Sequence, residues 1–175
     1  MRIQIRELVR DEVSALSRLA VTAYTAAFGH SFGADDLAAH LESNFSEAAL
    51  RRAIGEDVVL VAAMQDRLVG FIQFGAARTS AEGHPRPRSE IRSLYVLPVF
   101  QRQGIGTLLL TSALQHPRLA EAGEVVLDVW EHNESAQRLY HKHGFRIVDS
   151  KRFTFASGKA GDRDFIMVRE PAQIA

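Results

Sequence analysis

The sequence predicts an α/β fold in which a mixed sheet carries helices on both faces. Three observations lead there. Apolar residues recur with period two in some stretches and at helical spacing in others. The two kinds of segment follow the order β, α, α, α, β, β, β, α, β, α, β, β, which is neither an uninterrupted βαβ alternation nor a helical bundle. And 175 residues, 46% hydrophobic and 24% charged, suit one globular domain spanning 1–175 with a single core.

Met1–Arg6 alternates apolar and polar residues and reads as the first strand. From Asp11 to about Phe28, apolar residues at 13, 16, 19, 20, 23, 24, 27 and 28 form a helical stripe, broken by Gly29-His30-Ser31-Phe32-Gly33. Asp35–Asn44 and Ser46–Ile54 read as two short helices, the second capped by Ser46. Val58–Met64 and Leu68–Phe74 are apolar runs joined by the polar Gln65-Asp66-Arg67, a hairpin. Thr79–Ser89 holds Gly83, Pro85 and Pro87 and is expected to be a loop. Glu90–Leu97 is the next strand, stopped by Pro98, and Gly104–His116 is a helix ended by Pro117. Glu124–Trp130 is a strand and Asn133–His143 a helix, with Gly144 at the left-handed cap position and Phe145 able to fold back on Leu139 or Tyr140. Phe145–Phe155 and Arg163–Arg169 close the chain as a hairpin.

Composition excludes several chemistries. There is no cysteine, hence no disulfide scaffold, thiolate zinc site, iron–sulfur cluster or cysteine nucleophile. The N-terminus MRIQIRELVR is charged, and no stretch reaches the ~18 apolar residues of a membrane span, so a soluble cytoplasmic protein is expected. The 21 basic residues balance the 21 acidic ones, which argues against a general nucleic-acid binder. Locally the balance breaks. Residues 34–57 carry a net −4 (six acidic, two basic) and residues 84–118 a net +4 (five basic, one acidic). These are either two solvated surfaces or a cation-facing and an anion-facing part of the chain.

The chemistry centres on Gln101-Arg102-Gln103-Gly104-Ile105-Gly106-Thr107, between a strand and a helix. Two glycines let the backbone turn sharply and let a bulky ligand approach. The new helix offers unpaired N–H groups and the positive end of its dipole, which bind phosphate without a lysine. Arg102 adds a full charge. A Walker A loop would need a Lys-Ser/Thr pair that is missing, and a Rossmann fingerprint would need a small residue where Leu109 stands. A plain turn with glycines for geometry fits the glycines equally well.

The neighbouring residues decide between these readings. Glu90-Ile91-Arg92-Ser93-Leu94-Tyr95-Val96-Leu97-Pro98-Val99-Phe100 followed by the glycine loop resembles the cofactor motif of the Gcn5-related N-acetyltransferases (GNAT), [Q/R]-x-x-G-x-[G/A] after a strand. Val129-Trp130-Glu131-His132-Asn133-Glu134-Ser135-Ala136-Gln137-Arg138-Leu139-Tyr140, then Gly144-Phe145, resembles the family's strand, N-x-x-A and Y-x-x-x-G-F segment. Within the superfamily, Tyr24–Gly29, Asp35-Asp36, the Trp-Glu-x-Asn segment and Asp164-Phe165-Ile166-Met167 resemble the PaiA-type polyamine acetyltransferases. The resemblance implies a mostly antiparallel, twisted GNAT-like sheet of about seven strands. It implies acetyl-CoA as co-substrate and an amine as acceptor, and it leaves a homodimer open.

Acetyl transfer from a thioester to an amine needs a deprotonated amine, a stabilised oxyanion and a protonated or tolerated thiolate. With no cysteine and no G-x-S-x-G elbow, direct attack of the amine is the economical route. By the resemblance, Tyr140 is the general acid at the cofactor sulfur; the bland reading is a core aromatic in the stripe Ala136, Leu139, Tyr140, His143. Glu90 is the candidate base, against an exposed strand-end carboxylate. The backbone N–H of Leu94 is the expected oxyanion donor, with Tyr95 and Val96 along the pantetheine arm as an added strand would lie. Gln101, Arg102, Gln103, Gly104, Ile105, Gly106 and Thr107 hold the pyrophosphate. Asn133 caps its helix, bonds the pantetheine or the product, or does both. His141 and His143 are two apart on a helix, hence on different faces, and no metal is expected. Trp130 and Phe100 read as core or sheet-edge packing. The rival functions are a non-catalytic acyl-CoA sensor on the same fold, an amino-acid or protein N-acetyltransferase and, more distantly, a dinucleotide-binding oxidoreductase.

Overall fold

The computed structural model describes residues 2–78 and 88–170. Its seven strands are β1 (Ile3–Glu7), β2 (Val58–Met64), β3 (Arg67–Ala76), β4 (Arg88–Val96), β5 (Glu124–Trp130), β6 (Arg146–Thr154) and β7 (Ala160–Arg169). They form one sheet in the order β1-β2-β3-β4-β5-β7-β6. β4 and β5 run parallel, while β1–β2, β5–β7 and β6–β7 pair antiparallel. The helices are α1 (Val13–Phe28), α2 (Ala34–Phe45), α3 (Glu47–Ala53), α4 (Ile105–Gln115), α5 (Pro117–Ala120) and α6 (Glu134–Lys142). No helix among the described residues is long and apolar enough to cross a membrane. The chain groups into two compact units, residues 1–73 with 93–112 and residues 74–92 with 113–175.

In the first unit, α1 buries Val13, Leu16, Leu19, Ala20, Ala23 and Tyr24, the stripe expected from the sequence. They pack with Phe45, Leu50, Val59, Val61 and Phe71, and each fully buried Leu or Phe contributes about 1.5–3 kcal/mol. Ser46 caps α3 as expected, its hydroxyl accepting from the Ala49 N–H. In the second unit, Leu127, Val125 and Val129 of β5 are buried, as are Tyr140, Phe145, Met167 and Val168.

Four expectations change. The strand read as starting at Glu90 starts at Arg88, because Arg88 forms an ion pair with Glu124 and the buried Ser89 hydroxyl donates to Arg118 O. The rest of the expected loop, residues 79–87, lies outside the described residues. Pro117 does more than end α4: it opens α5 at a position where a missing N–H costs nothing, with the His116 ring accepting from Arg118 N–H. The last strand starts at Ala160 rather than Arg163. Gly161 there lies so close under the Phe155 ring that a Cβ would meet it at 2.9 Å. Of the two loop glycines, only Gly104 turns the chain, at φ +81°, whereas Gly106 is already inside α4.

Candidate active site

The first unit holds the strand–turn–helix segment. Two bonds between β3 and β4 are out of step. Ala77 N–H donates to Arg88 O and Leu97 N–H to Val69 O, so β3 retreats eight residues (77 to 69) while β4 advances nine (88 to 97). β4 therefore contains one extra residue, a β-bulge, the device that re-aims side chains beside active sites. Burial agrees: Ile91 is buried, and Arg92–Val96 are all half-buried, the alternation lost. Gly70 of β3 permits the close approach, since a Cβ there would stand 3.0 Å from Tyr95 O and 3.2 Å from both Val96 Cγ2 and Leu109 Cδ1.

After β4 the chain makes a 3₁₀ turn over Pro98–Phe100 and then a left-handed step. Arg102 stands at φ +62°, which costs a non-glycine residue about 1 kcal/mol, and Gly104 at φ +81°. Gln101 Nε2 donates to Val96 O at 3.1 Å and Gln103 Nε2 to Val99 O at 3.2 Å, so both glutamine side chains brace the turn. Arg67 lies over the Phe100 ring at 5.6 Å. Leu108 N–H donates to Gly104 O, so the N–H groups of Ile105, Gly106 and Thr107 precede the first intrahelical bond of α4 and have no acceptor within the helix. Ile105 anchors the helix in the core, while Gln101, Arg102, Gln103, Gly104 and Thr107 are exposed. The ring of Tyr95 packs among Phe71, Tyr24, Phe45 and Phe28 at centroid distances of 5.7–6.5 Å.

The second unit holds Glu90, Asn133 and Tyr140. The Glu90 carboxylate is ion-paired with Arg92 at 2.5 Å and accepts the Arg78 N–H at 3.2 Å, and Arg92 is itself fixed by Ala76 O. Asn133 caps α6, its Oδ1 accepting from Ala136 N–H at 3.1 Å. Tyr140 is buried with its ring 5.8 Å from Phe145, and burial holds its phenol above the usual tyrosine range. The cap expected at Gly144 is present. Its φ is +85°, Phe145 N–H donates to Tyr140 O, and Gly144 N–H donates to His141 O.

The sequence reading gave no role of their own to four residues. Gly70 and Arg92 have the roles just described, and Gln137 bonds the end of β5. Asp164 lies in register with Trp130 on one side and Lys151 on the other. Burial and then the Asp128 carboxylate push its carboxyl up to about 6, with Lys151 opposing and Glu131 and Asp162 adding. No helical or strand period marks these positions, because their partners come from other elements. Glu131, His132 and Asp162 offer donor atoms within 4.8 Å of one another, a grouping that no His–His spacing reveals. Glu131 Oε1 there accepts from Arg163 N–H and Asp162 Oδ2 from Trp130 Nε1.

Among curated relatives, an uncharacterized N-acetyltransferase of Mycobacterium bovis is 28% identical over 166 residues, covering 91% of this chain and 97% of its own. The PaiA N-acetyltransferase of Thermoplasma acidophilum, solved with coenzyme A, superposes with a TM-score of 0.76 at 23% identity over 97% of this chain and 99% of that one. The ribosomal-protein-S18-alanine N-acetyltransferase of Escherichia coli gives 0.71 at 18% over 99% and 97%. Residues 16–145 match the acetyltransferase (GNAT) family, a span running from α1 through the bulged β4 and the left-handed turn to the cap of α6. The chain therefore belongs to the GNAT family and is an acetyl-CoA-dependent N-acetyltransferase.

Proposed function

We propose that the chain transfers the acetyl group directly to a primary amine, with a polyamine as the acceptor. The observation that carries the acetyl-CoA site is the strained Arg102–Gly104 turn, which exposes the N-terminus of α4, and the direct route follows from the absence of a cysteine nucleophile. Three backbone N–H groups and the positive helix end suit a pyrophosphate, and Arg102 adds charge. Acetyl-CoA supplies an acetyl group already activated as a thioester. The bulge in β4 supports a role for Leu94 N–H as the donor to the acetyl oxygen, because a bulge releases a residue from its ladder. Val96 then offers its backbone to the pantetheine arm, sharing its carbonyl with Gln101.

Tyr140 holds its proton at neutral pH and so donates toward the departing sulfur. A thiol titrates near ~8.5, below such a phenol, so complete proton transfer runs uphill. The hydroxyl acts as a hydrogen-bond donor to the developing thiolate. Glu90 keeps the base role only through a water or after releasing Arg92. The polyamine reading draws on the sequence resemblance and on the carboxylates Asp128, Glu131 and Asp162 around Asp164.

The test is release of free CoA thiol with spermidine, spermine, a monoamine and a peptide N-terminus as acceptors. Tyr140→Phe should lower kcat ~100-fold with acetyl-CoA affinity unchanged. Equal turnover would make Tyr140 a packing residue. Binding of acetyl-CoA with no thiol release from any amine would make the chain a sensor.

A further inference from the structure

Between β5 and α6 the chain needs one turn, and two bonds suffice to make it. Asn133 N–H donates to Trp130 O at 2.9 Å, closing the turn, and Asn133 Oδ1 caps the helix. Two more side chains hold the same residues. Glu131 N–H donates to Arg163 O at 2.9 Å and Glu131 Oε1 accepts the Arg163 N–H at 2.8 Å, which ties the turn to β7. Gln137 Nε2 donates to Trp130 O at 3.2 Å and to Glu131 O at 2.9 Å, which ties it to α6. A primary amide carries two N–H hydrogens on one nitrogen, one for each carbonyl. Leucine has none, and a glutamate would point negative charge at two carbonyl oxygens.

The brace holds an unusual conformation. Asn133 sits at φ −88°, ψ 64°. Ser46 and His116, two other side-chain caps, lie in the extended region at ψ 154° and 136°, where caps ordinarily lie. The ψ of Asn133 sets the direction in which α6 leaves β5. Gln137 and Tyr140 are three residues apart and so share a face of that helix. We propose that Gln137 is a positioning residue for acetyl transfer: by bonding the Trp130 and Glu131 carbonyls it fixes the turn at Asn133 and thereby the aim of Tyr140. This rests on the reading of Tyr140 as the donor to the sulfur.

The chain's single tryptophan is Trp130, so its fluorescence reports on the braced turn without any need for activity. In the full chain, Gln137→Leu should raise acrylamide quenching of Trp130. It should lower kcat about ten-fold, since small misplacements of a reacting group cost one to two orders of magnitude. The KM for acetyl-CoA should stay within about two-fold, as expected where only transition-state contacts are lost. Gln137→Glu should match it at neutral pH, and its quenching should return toward the parent value below pH ~4, where a protonated carboxyl donates again. A Gln137→Leu protein with parent quenching and parent kcat overturns the proposal. So does a kcat loss that vanishes once corrected for the folded fraction, or raised quenching with parent kcat. Tyr140→Phe measured alongside separates the two ideas. Loss of turnover in Tyr140→Phe with none in Gln137→Leu overturns the brace alone, and parent turnover in Tyr140→Phe overturns the route through Tyr140.

Discussion

Asp164 sits on β7 between Trp130 of β5 and Lys151 of β6, and its carboxyl is pushed up to about 6 by burial and by Asp128. In an unfolded chain an aspartate titrates near ~3.9. The folded protein therefore binds this proton more tightly than the unfolded one. Its favourable contribution is complete below pH ~4 and is lost as pH rises through about 6. Above that, three neighbouring carboxylates face an ionised Asp164, partly relieved by Lys151. Asp164→Asn removes the penalty. Its Tm should match the parent at pH 3.5 and exceed it by ~2 °C at pH 7.5, a small gain because the group is only half-buried. Calorimetric scans at the two pH values check this, and an equal Tm at pH 7.5 would mean that Asp164 titrates normally. The sequence singled out Glu90 as the candidate base and gave Asp164 no such role, because strand position is legible and cross-strand company is not.

At the scale of elements, the local rules were readable and the long-range ones were not. The stripe from Val13 to Tyr24, the Ser46 cap, the Asn133 cap and the Gly144 cap each depend on residues within one or two helical turns, and each formed as read. The β4 bulge was invisible, because it is defined against β3 and only weakens an alternation. The arginine partners of Glu90 and Glu124, Arg92 and Arg88, were equally hidden. Two glycines show the difference in kind. Gly104 is needed for its φ of +81°, and a Cβ there would meet no atom within 4 Å. Gly104→Ala should cost about 1 kcal/mol of strain and weaken acetyl-CoA binding, because the turn that presents α4 relaxes. Gly70 is needed for space, with Tyr95 O at 3.0 Å from a Cβ. Gly70→Ala should cost about 1–3 kcal/mol by pushing β4 away from β3. Thermal melts and titration calorimetry on both variants check the pair. Unchanged acetyl-CoA affinity in Gly104→Ala would remove the pyrophosphate assignment.

Over the whole molecule the charge is zero, so any attraction of ligands must come from local imbalance. The structure thins both of the charged segments seen in the sequence. Among the described residues of 84–118, Arg88 is paired with Glu124 and Arg92 with Glu90, while Arg102 is exposed at the turn before α4. In residues 34–57, Asp57 is buried and accepts from Gln73, and Glu47 is paired with Arg51. Asp35 and Asp36 lie in the first turn of α2, where they also favour the helix dipole. In the first unit this segment still carries Asp35, Asp36, Glu42 and Glu56, two of them at the start of α2. Spermidine should still exceed a monoamine of similar size in kcat/KM, but by a modest factor of ~10 at low salt, as expected of weak steering. Because exposed charges are screened beyond ~8 Å at physiological ionic strength, the ratio should fall as salt is added. Asp35→Asn/Asp36→Asn should lower the low-salt advantage and leave kcat for the monoamine unchanged. The specificity constants for both amines at low and physiological salt, in parent and double variant, test this. A spermidine preference that neither salt nor the double substitution alters would assign selectivity to contacts in the bound state. The carboxylates beside Trp130 would then be the next to neutralise.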